Sequence, residues 1–493
     1  MMALLTQSAL EFQPLTAADW TGGAPMMCVA MGILVALLAE ILPAFRPARH
    51  VIFLVTLAAA LVFEVRLLGN PQGIIFQGTF SADRTSAMWG ILFAFSGLLA
   101  WLYSRRYYRE EKAFLPEHDL LMLSSVLGMM LMAGAEDLLT FFIGLELLSV
   151  PLYALACFRR IRMESVEAGL RYFLLGAFAA GLFLFGAALI YVATGSIHLE
   201  GLREVGLHSK LSMLGVALMA SALFFKVSVF PFQFWVPDVY QGSPTPVTVF
   251  MATGTKAAGF AFLMKVLFLL PASGAGLLSV MAIITMAIGN LGALVQTDLK
   301  RMLGHSSVAH AGTLLLVVAA GLAGDPQAGA PLQAVLYYMA AYVFTAAGAF
   351  GLIAMLEGSG EHFTQLESLR GLGQRRPAFA MALSLFMLSL AGFPATGGFF
   401  GKYFVFASTL RADMLVVSVL GVLLSVVALG YYLRVILTMW MRPEIEGQAP
   451  PTAYRPAANF ATGLCVFFVL ALGFAPSWFM ERFFLAVGQA TDS

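Results

Sequence analysis

The amino-acid sequence predicts an all-α, polytopic membrane protein with about fourteen transmembrane helices. The chain has 493 residues, of which 60% are hydrophobic and only 11% are charged, whereas soluble domains contain about 45–50% apolar and about 25% charged residues. Apolar runs of the length that a bilayer-spanning helix needs, about 20 residues, recur along the whole chain. The formal net charge of +1 gives no basis for binding nucleic acid.

Fourteen segments are predicted to span the bilayer. The first is expected to remain as a membrane helix and not to be a cleaved signal peptide, because the first 25 residues contain no lysine or arginine. Runs of about thirty residues exceed a perpendicular crossing, so they must tilt, break or continue along the interface. The predicted spans are residues 25–43, 50–68, 85–103, 118–134, 137–157, 165–194, 211–231, 245–270, 276–297, 302–322, 332–356, 379–408, 413–441 and 457–487.

Proline and glycine interrupt the seventh and the twelfth span, at "VFPFQFWVP" (229–237) and "LAGFPATGGFFGK" (390–402). Broken backbone survives at membrane depth only where protein or water satisfies its polar groups. Because the breaks lie an odd number of helices apart, we expect two inverted five-helix repeats with discontinuous helices 7 and 12. The predicted parts are helices 1–3 (residues 1–117), the first repeat of helices 4–8 (118–270), the second repeat of helices 9–13 (276–441) and helix 14 (457–493).

Basic residues concentrate in the loops that follow odd-numbered spans. The loops after even-numbered spans contain only Arg84, Arg203, Lys210 and Arg411, with Arg66 near a helix end. By the positive-inside rule, both termini are predicted to face away from the cytoplasm. The basic residues after odd-numbered spans are Arg46, Arg49, Arg105, Arg106, Arg109, Lys112, Arg159, Arg160, Arg162, Lys300, Arg301, Arg370, Arg375, Arg376, Arg442 and Arg455.

Several charged residues fall inside the predicted spans, where each is unfavourable by about 2.5–3.5 kcal/mol on insertion scales. Lys226, Lys256 and Lys402 have no opposite charge within one turn of their own helices, and we interpret them as functional. Glu146 lies in the middle of helix 5, and its expected partner is a lysine on another helix.

Other charges have simpler interpretations. Lys265 lies near a helix end and is expected to extend to the membrane interface. Arg434 is expected to pair with a lipid phosphate or a neighbouring subunit. Arg171 follows Glu167 by four residues, the spacing of a helical ion pair, so a functional and a structural role are equally open.

Two further positions leave alternatives open. Glu64 and Arg66 lie two residues apart on helix 2 and favour a packing or interface role. His310 fits a proton relay and a hydrogen-bonded core histidine equally well, and His305 lies closer to a loop.

Lysine suits proton transfer only when its surroundings change its affinity for the proton. Its ordinary pKa of about 10.4 is too high for release at neutral pH. Desolvation or a second cation lowers the pKa of a lysine, and a nearby carboxylate raises it. A Glu–Lys pair of variable separation would therefore load and unload a proton. A series of such lysines, connected by water at broken helices, is predicted to be a proton path.

No cofactor is expected in this chain. Cys28, Cys157 and Cys465 lie far apart and show no CxxC spacing, which argues against an iron–sulfur cluster or a zinc site. His305 and His310 are five residues apart, the wrong spacing for one metal-binding helix face. The sequence contains no Walker A motif.

Five stretches carry a resemblance to a known family. They are "GLELLSVPLYAL" (144–155), "FKVSVFPFQFWVPDVYQGSPTPVTVF" (225–250), "ATGTKAAGF" (252–260), "QTDLKRMLGHSSVAHAG" (296–312) and "LSLAGFPATGGFFGKYFVF" (388–406). The sequence resembles, from about helix 2 to helix 14, the antiporter-like membrane subunits of respiratory complex I. The stretch "VPDVYQGSPTPV" is similar to the subunit N branch and not to subunits L and M. The expected lack of a helix after helix 14 also argues against subunit L.

The resemblance implies roles for individual residues. Glu146 matches the helix 5 glutamate of the family, and Lys226 matches the helix 7 lysine that faces it. Lys256 matches the central lysine of helix 8, and Lys402 matches the helix 12 lysine near the proton exit. All four are implied proton-transfer residues.

Two positions depart from the family pattern. Arg171 occupies the place of a helix 6 lysine; because a guanidinium does not readily lose its proton, Arg171 is expected to bias Lys226 electrostatically. Gln233 replaces the histidine of the "PFHxW" motif, so it is expected to hold water without being protonated.

The resemblance also implies the setting. The chain is expected to be a proton-translocating subunit of NADH–quinone oxidoreductase in a bacterial inner membrane, beside other membrane subunits. NADH, FMN, iron–sulfur clusters and quinone are expected in partner subunits. Two alternatives remain: a subunit of a cation/proton antiporter, and a subunit of a related membrane-bound hydrogenase-type complex.

Overall fold

The chain is helical almost throughout in the computed structural model. Twelve helices in the described part of the chain are long and apolar enough to cross a membrane, which confirms the prediction of an all-α polytopic membrane protein. Lys112, one of the basic residues counted above, lies outside the described residues. The structure describes residues 14–484 apart from 111–116, 208, 267–268, 270, 325–329, 358–363 and 445–454.

The helices are connected by short segments, one of which contains a small hairpin of two antiparallel strands, β1 (Gly73–Ile75) and β2 (Phe80–Ala82). Single turns of 3₁₀-helix cover Pro43–Ala48 and Leu366–Leu369, and π-helical turns cover Met251–Thr255 and Met480–Phe484. The α-helices are α1 (Ala17–Ile41), α2 (Arg49–Gly69), α3 (Arg84–Glu110), α4 (Glu117–Gly134), α5 (Leu138–Ala156), α6 (Met163–Thr194), α7 (Leu199–Val205), α8 (Lys210–Val227), α9 (Trp235–Gly242), α10 (Thr245–Phe250), α11 (Lys256–Lys265), α12 (Gly274–Leu294), α13 (Leu299–Ala323), α14 (Ala330–Glu357), α15 (Leu372–Arg375), α16 (Pro377–Ala391), α17 (Gly397–Arg411), α18 (Leu415–Met441), α19 (Pro456–Phe474) and α20 (Pro476–Phe479).

Two of the fourteen predicted spans are not among the twelve apolar helices. The predicted span 118–134 corresponds to α4, whose first turn is acidic. The predicted span 379–408 is divided into α16 and α17, each of 15 residues. Between them the backbone turns at Gly392, whose φ of 86° favours glycine.

The chain also leaves the helical conformation in the seventh span. Helix α8 ends at Val227, Ser228 has a left-handed φ of 66°, and the next helix begins at Trp235. Both irregular segments coincide with the proline-containing stretches of the sequence. The inverted repeats and the four-part division remain predictions, because helix bounds alone do not test them.

The most buried helices lie in the middle of the sequence. In the most apolar stretches of Thr245–Lys265, α13 and α14, 94% of the residues are buried inside the chain. The corresponding share for α18 is 28%. Lys256 and His310 lie on these segments and are therefore surrounded by other parts of the chain.

Small residues let neighbouring helices approach closely. A side chain at Gly186 of α6 would collide with the backbone of α8 at Gly215, and one at Gly128 of α4 would collide with α5 near Gly144. Such contacts replace the hydrophobic driving force that is missing between helices in lipid. They fix α5, α6 and α8, which hold the first group of candidate residues.

Helix α5 begins directly after α4 because Asp137 caps it. The Asp137 carboxylate accepts hydrogen bonds from the N–H groups of Leu139 and Thr140, both at 2.8 Å. This is the usual arrangement at a helix N-terminus. It places Glu146 two turns into α5.

Candidate functional site

The three lysines singled out from the sequence lie beside irregular backbone. Lys226 is in the last turn of α8, directly before the break, and Lys256 is the first residue of α11 after the π-helical turn Met251–Thr255. Lys402 is in α17, and its Nζ donates a hydrogen bond of 2.8 Å to the carbonyl of Ala391, the last residue of α16. At Lys402 the irregular segment thus provides a backbone carbonyl for the ammonium group.

Lys226 is held by helices α5 and α6. Its side chain is buried, and its Nζ donates a hydrogen bond of 2.7 Å to Oγ of Ser149. The Ser149 hydroxyl in turn donates to the carbonyl of Leu145. The ring of Tyr172 lies 5.8 Å from Nζ, within the range of a cation–π contact.

Glu146 lies one turn before Ser149 on α5 but makes no direct ion pair with Lys226. Its Oε1 is buried and has no hydrogen-bond partner among the described residues. The carboxylate is nevertheless close enough to Lys226 for an electrostatic interaction. Ser149 is the partner of the ammonium in this conformation, so the carboxylate and the ammonium are neighbours that do not touch.

Lys256 is anchored to α13 through one residue. Its Nζ donates to both the carbonyl oxygen and the hydroxyl of Ser307, and its side chain is only 2% exposed. The hydroxyl of Tyr342 donates to the same Ser307 Oγ at 2.9 Å, and the Tyr342 ring lies 5.6 Å from Nζ. Sequence reasoning did not identify Ser307 or Tyr342.

His310 lies one turn beyond Ser307 on α13 and has a hydroxyl partner on each ring nitrogen. Nδ1 is 2.5 Å from the hydroxyl of Tyr338 on α14, and Nε2 is 3.1 Å from the hydroxyl of Tyr432 on α18. Tyr432 is also hydrogen-bonded to the hydroxyl of Ser306. A neutral imidazole donates from one nitrogen and accepts at the other, so this arrangement can pass a proton as well as hold the ring.

His310 and Lys402 face a common cavity of about 10 Å³. This volume is close to the smallest that holds a water molecule. Asn290 and Thr313 also line it. The residues described so far fall into two groups, which together we call the buried polar row: Glu146, Ser149 and Lys226 in the first, and Lys256, Ser307, Tyr342, His310 and Lys402 in the second.

Arg171 does not belong to this row but forms the helical ion pair with Glu167 that its spacing indicated. Its side chain is 49% exposed and pairs with Glu167 and Asp238, both at 2.6 Å. Asp238 also pairs with Arg301. Arg171 lies close to the polar end of α6, where its guanidinium reaches the charged loops.

Arg171 lines a charged cavity of about 400 Å³. The cavity lies between α6, α9, α13 and the end of α14, at the end of the molecule that carries the basic loops. Charged residues around it are Arg159, Arg162, Glu164, Glu167, Arg171, Asp238, Asp298, Lys300, Arg301 and Glu357.

A buried ionic cluster lies at the base of this cavity. Glu357 Oε1 is 2.8 Å from Nη1 of Arg159 and 3.5 Å from Nζ of Lys300, and its Oε2 accepts from the hydroxyl of Thr245. Lys300 Nζ also donates to the carbonyl of Ser243 at 2.7 Å. Arg159 and Lys300 were counted as loop charges, but both are buried. Their partner is far away in sequence, which is why spacing could not reveal the cluster.

Lys265 and Arg434 also have partners within the chain. Lys265 Nζ pairs with Glu136 at 2.7 Å, in the turn between α4 and α5. Arg434 donates to the carbonyls of Leu294 and Gln296 and so satisfies the C-terminus of α12, while its expected pairing with a lipid phosphate or a neighbouring subunit stays a prediction.

Gln233 lies in the segment between α8 and α9. Its Oε1 is buried without a hydrogen-bond partner in the part of the chain that the structure describes. Within the same described residues, no three His, Cys, Asp or Glu side chains are grouped as metal ligands would be.

Comparisons with known proteins agree with this architecture. The family model described as NADH:quinone oxidoreductase/Mrp antiporter, transmembrane, matches residues 135–428. NADH-quinone oxidoreductase subunit N of Salinibacter ruber is 40% identical over 461 residues, which is 90% of this chain and 91% of the relative. Subunit N 1 of Solibacter usitatus is 38% identical over 438 residues, 87% of this chain and 89% of the relative. A chain of respiratory complex I from Thermus thermophilus with bound aureothin superposes with a TM-score of 0.77 at 36% identity, covering 93% of this chain and 98% of that one.

Proposed function

Because this chain belongs to the subunit N branch of the NADH:quinone oxidoreductase/Mrp antiporter family, we propose that protons cross it along the buried polar row between Glu146 and Lys402. As a family member, it is a multi-pass, proton-translocating membrane subunit of NADH–quinone oxidoreductase. Quinone reduction in neighbouring subunits drives it, and NADH, FMN, iron–sulfur clusters and quinone are bound by those partners. Other membrane subunits of the complex pack against its apolar outer helices.

The observation that supports this proposal most strongly is the set of contacts in the second group of the row. Ser307 joins Lys256 to Tyr342, the ring of Tyr342 lies 5.1 Å from that of His310, and one cavity joins His310 to Lys402. Hydroxyl groups both donate and accept, so Ser307 and Tyr342 can pass a proton onward. Burying ionisable groups of this kind inside a membrane is unfavourable in free energy, and such groups mark ion pathways.

Loading occurs at Glu146 and Lys226. The ammonium donates to Ser149 in the conformation described here, while the nearby Glu146 oxygen has no partner. A small movement of Lys226 from Ser149 toward Glu146 would strengthen its hold on the proton, and the reverse movement would weaken it. Quinone chemistry in the partner subunits drives this movement electrostatically.

Protons reach Lys226 from the charged cavity. Arg171 lines the cavity, and the next residue, Tyr172, contacts Lys226. Arg171 keeps its own proton and acts on Lys226 through its positive charge. The ion pairs with Glu167 and Asp238 hold the guanidinium in place. By the positive-inside rule, we assign the basic loops around the cavity to the cytoplasmic side of a bacterial inner membrane. Both termini then lie on the opposite side, to which Lys402 releases the proton.

A second candidate function is a subunit of a cation/proton antiporter, since the family model also covers Mrp antiporter subunits. A subunit of a membrane-bound hydrogenase-type complex is the third candidate. Native electrophoresis with identification of the co-migrating subunits separates them. We expect migration with the subunits of an NADH–quinone oxidoreductase; a lone species of 53.0 kDa with ion-exchange activity would favour the antiporter.

The row is tested by Lys256→Gln in the assembled complex, reconstituted in vesicles. Loss of the ammonium should abolish proton pumping while the complex still assembles. Lys210→Gln is the matched control, because Lys210 is exposed at the start of α8. Pumping by Lys256→Gln at the level of Lys210→Gln would contradict the proposal.

A further inference from the structure

Glu64 is a buried carboxyl group with no charged partner among the described residues. Its side chain lies near the end of α2 and is only 4% exposed. It takes part in no ion pair or hydrogen bond with any described residue. Arg66, the nearest basic residue in the sequence, is exposed and lies 5.9 Å from the ring of Phe63. The carboxyl group is therefore turned into the interior, away from the basic residue next to it in the sequence.

Glu64 faces a small cavity enclosed by α1, α2, α3, α4 and β2. The cavity has a volume of about 10 Å³, close to the smallest that holds one water molecule. Pro25 interrupts the hydrogen bonds of α1 at this level, since proline has no N–H to donate. A side chain at Gly90 of α3 would collide with the Glu64 carboxyl, so glycine makes the room for it. The lining is Gly22, Pro25, Met26, Glu64, Leu67, Phe80, Ser86 and Met130.

A comparison with Glu357 shows what Glu64 lacks. Glu357 is equally buried, at 3% exposed, but two cations and a hydroxyl surround it. Around Glu64, the lining residues are apolar except for Ser86, whose hydroxyl already bonds to the backbone of Asp83. An isolated carboxylate in such surroundings is far more unfavourable than the neutral acid with a hydrogen-bonding water.

We propose that Glu64 and its cavity form a proton-binding site in the N-terminal helices, separate from the buried polar row. The bound proton exchanges with water through the cavity. Residue 64 lies outside the segment 135–428 that the family model matches, and no member of the buried polar row lines this cavity.

Infrared difference spectroscopy of the purified NADH–quinone oxidoreductase tests the site directly. The spectrum of wild type minus Glu64→Gln should show loss of one protonated carboxyl carbonyl band, and that band should shift when the sample is exchanged into deuterium oxide. A difference spectrum that shows loss of carboxylate bands would overturn the proposal. A carbonyl band that does not respond to deuterium would overturn it as well, because the proton would not exchange.

Two further variants make the measurement secure. Glu167→Gln is the control for an ionised group, because Glu167 is exposed and paired with Arg171; its difference spectrum should show carboxylate bands. Glu64→Asp keeps a carboxyl group if Glu64→Gln fails to assemble. In that variant the protonated carbonyl band should move without being lost, whereas a change confined to carboxylate bands would overturn the site.

Discussion

Lys256, the first residue after a π-helical turn, meets Ser307 on α13, one of the most buried helices. The ammonium donates to both the carbonyl and the hydroxyl of Ser307. The hydroxyl also accepts from Tyr342, so one serine connects the central lysine to the next helix. This junction gives the first prediction.

Ser307→Ala should leave the carbonyl contact of Lys256 in place but remove the hydroxyl link to Tyr342. We expect proton pumping to fall about tenfold, equivalent to about 1.4 kcal/mol in the barrier, with little change in assembly. Ser279→Ala is the control, because Ser279 is a buried serine that bonds only to its own helix, at Ala275. Equal pumping by the two variants would remove Ser307 from the path.

Substitutions of Glu146 and Lys226 should have strongly non-additive effects on proton pumping. Each single change, Glu146→Gln or Lys226→Ala, leaves the other charge without its counterpart, so the double variant should lose less activity than the sum of the two. Lys226→Ala alone should assemble but pump poorly. The measurement is quinone-linked proton pumping in reconstituted vesicles. Additive losses would mean that the two residues do not interact, and normal pumping by Lys226→Ala would exclude it as a relay.

Tyr432→Phe and Tyr337→Phe separate relay from packing at His310. Tyr432 bonds to His310 and Ser306, whereas the hydroxyl of the buried Tyr337 donates to the backbone carbonyl of Leu472 at 2.5 Å. Both changes should lower the free energy of unfolding by about 1 kcal/mol per lost hydrogen bond. Only Tyr432→Phe should reduce pumping. If the loss of pumping is proportional to the loss of melting temperature in both variants, His310 is a structural histidine and not a proton relay.

Glu357→Ala should be strongly destabilising. The change leaves Arg159 and Lys300 as buried cations without their carboxylate, a loss of about 3–5 kcal/mol. We expect a lowered melting temperature and less assembled complex. Glu167→Ala, which removes an exposed carboxylate, should change the stability by less than about 1 kcal/mol. A stable Glu357→Ala complex would show that the cluster does not hold the base of the cavity together.

The sequence allowed the architecture to be predicted because membrane helices leave a direct signal in hydropathy. The same holds for Lys226, Lys256 and Lys402, since a charge in an apolar run is visible without any structure. The irregular segments at Ser228 and Gly392 could be located from proline and glycine.

The partners of these charges could not be predicted from sequence. Lys256 meets Ser307 across 51 residues, and Arg159 meets Glu357 across 198, and such contacts depend on the rotation and depth of packed helices. The π-helical turn before Lys256 has no proline or other local signal. The pairing of Arg171 with Glu167 followed from their spacing, whereas its second partner, Asp238, lies 67 residues away in the sequence.

The central claim, that buried lysines pass protons and do not merely supply charge, is tested most directly by Lys402→Arg. Arginine keeps the positive charge but does not readily release a proton. The measurement is proton pumping by the reconstituted complex, with NADH–quinone turnover followed in the same vesicles and Lys265→Arg as the control, since Lys265 is a structural ion-pair residue. We predict that Lys402→Arg assembles and pumps poorly while Lys265→Arg is near normal. Full pumping by Lys402→Arg would show that the charge matters and the proton does not, which would contradict the proposed path.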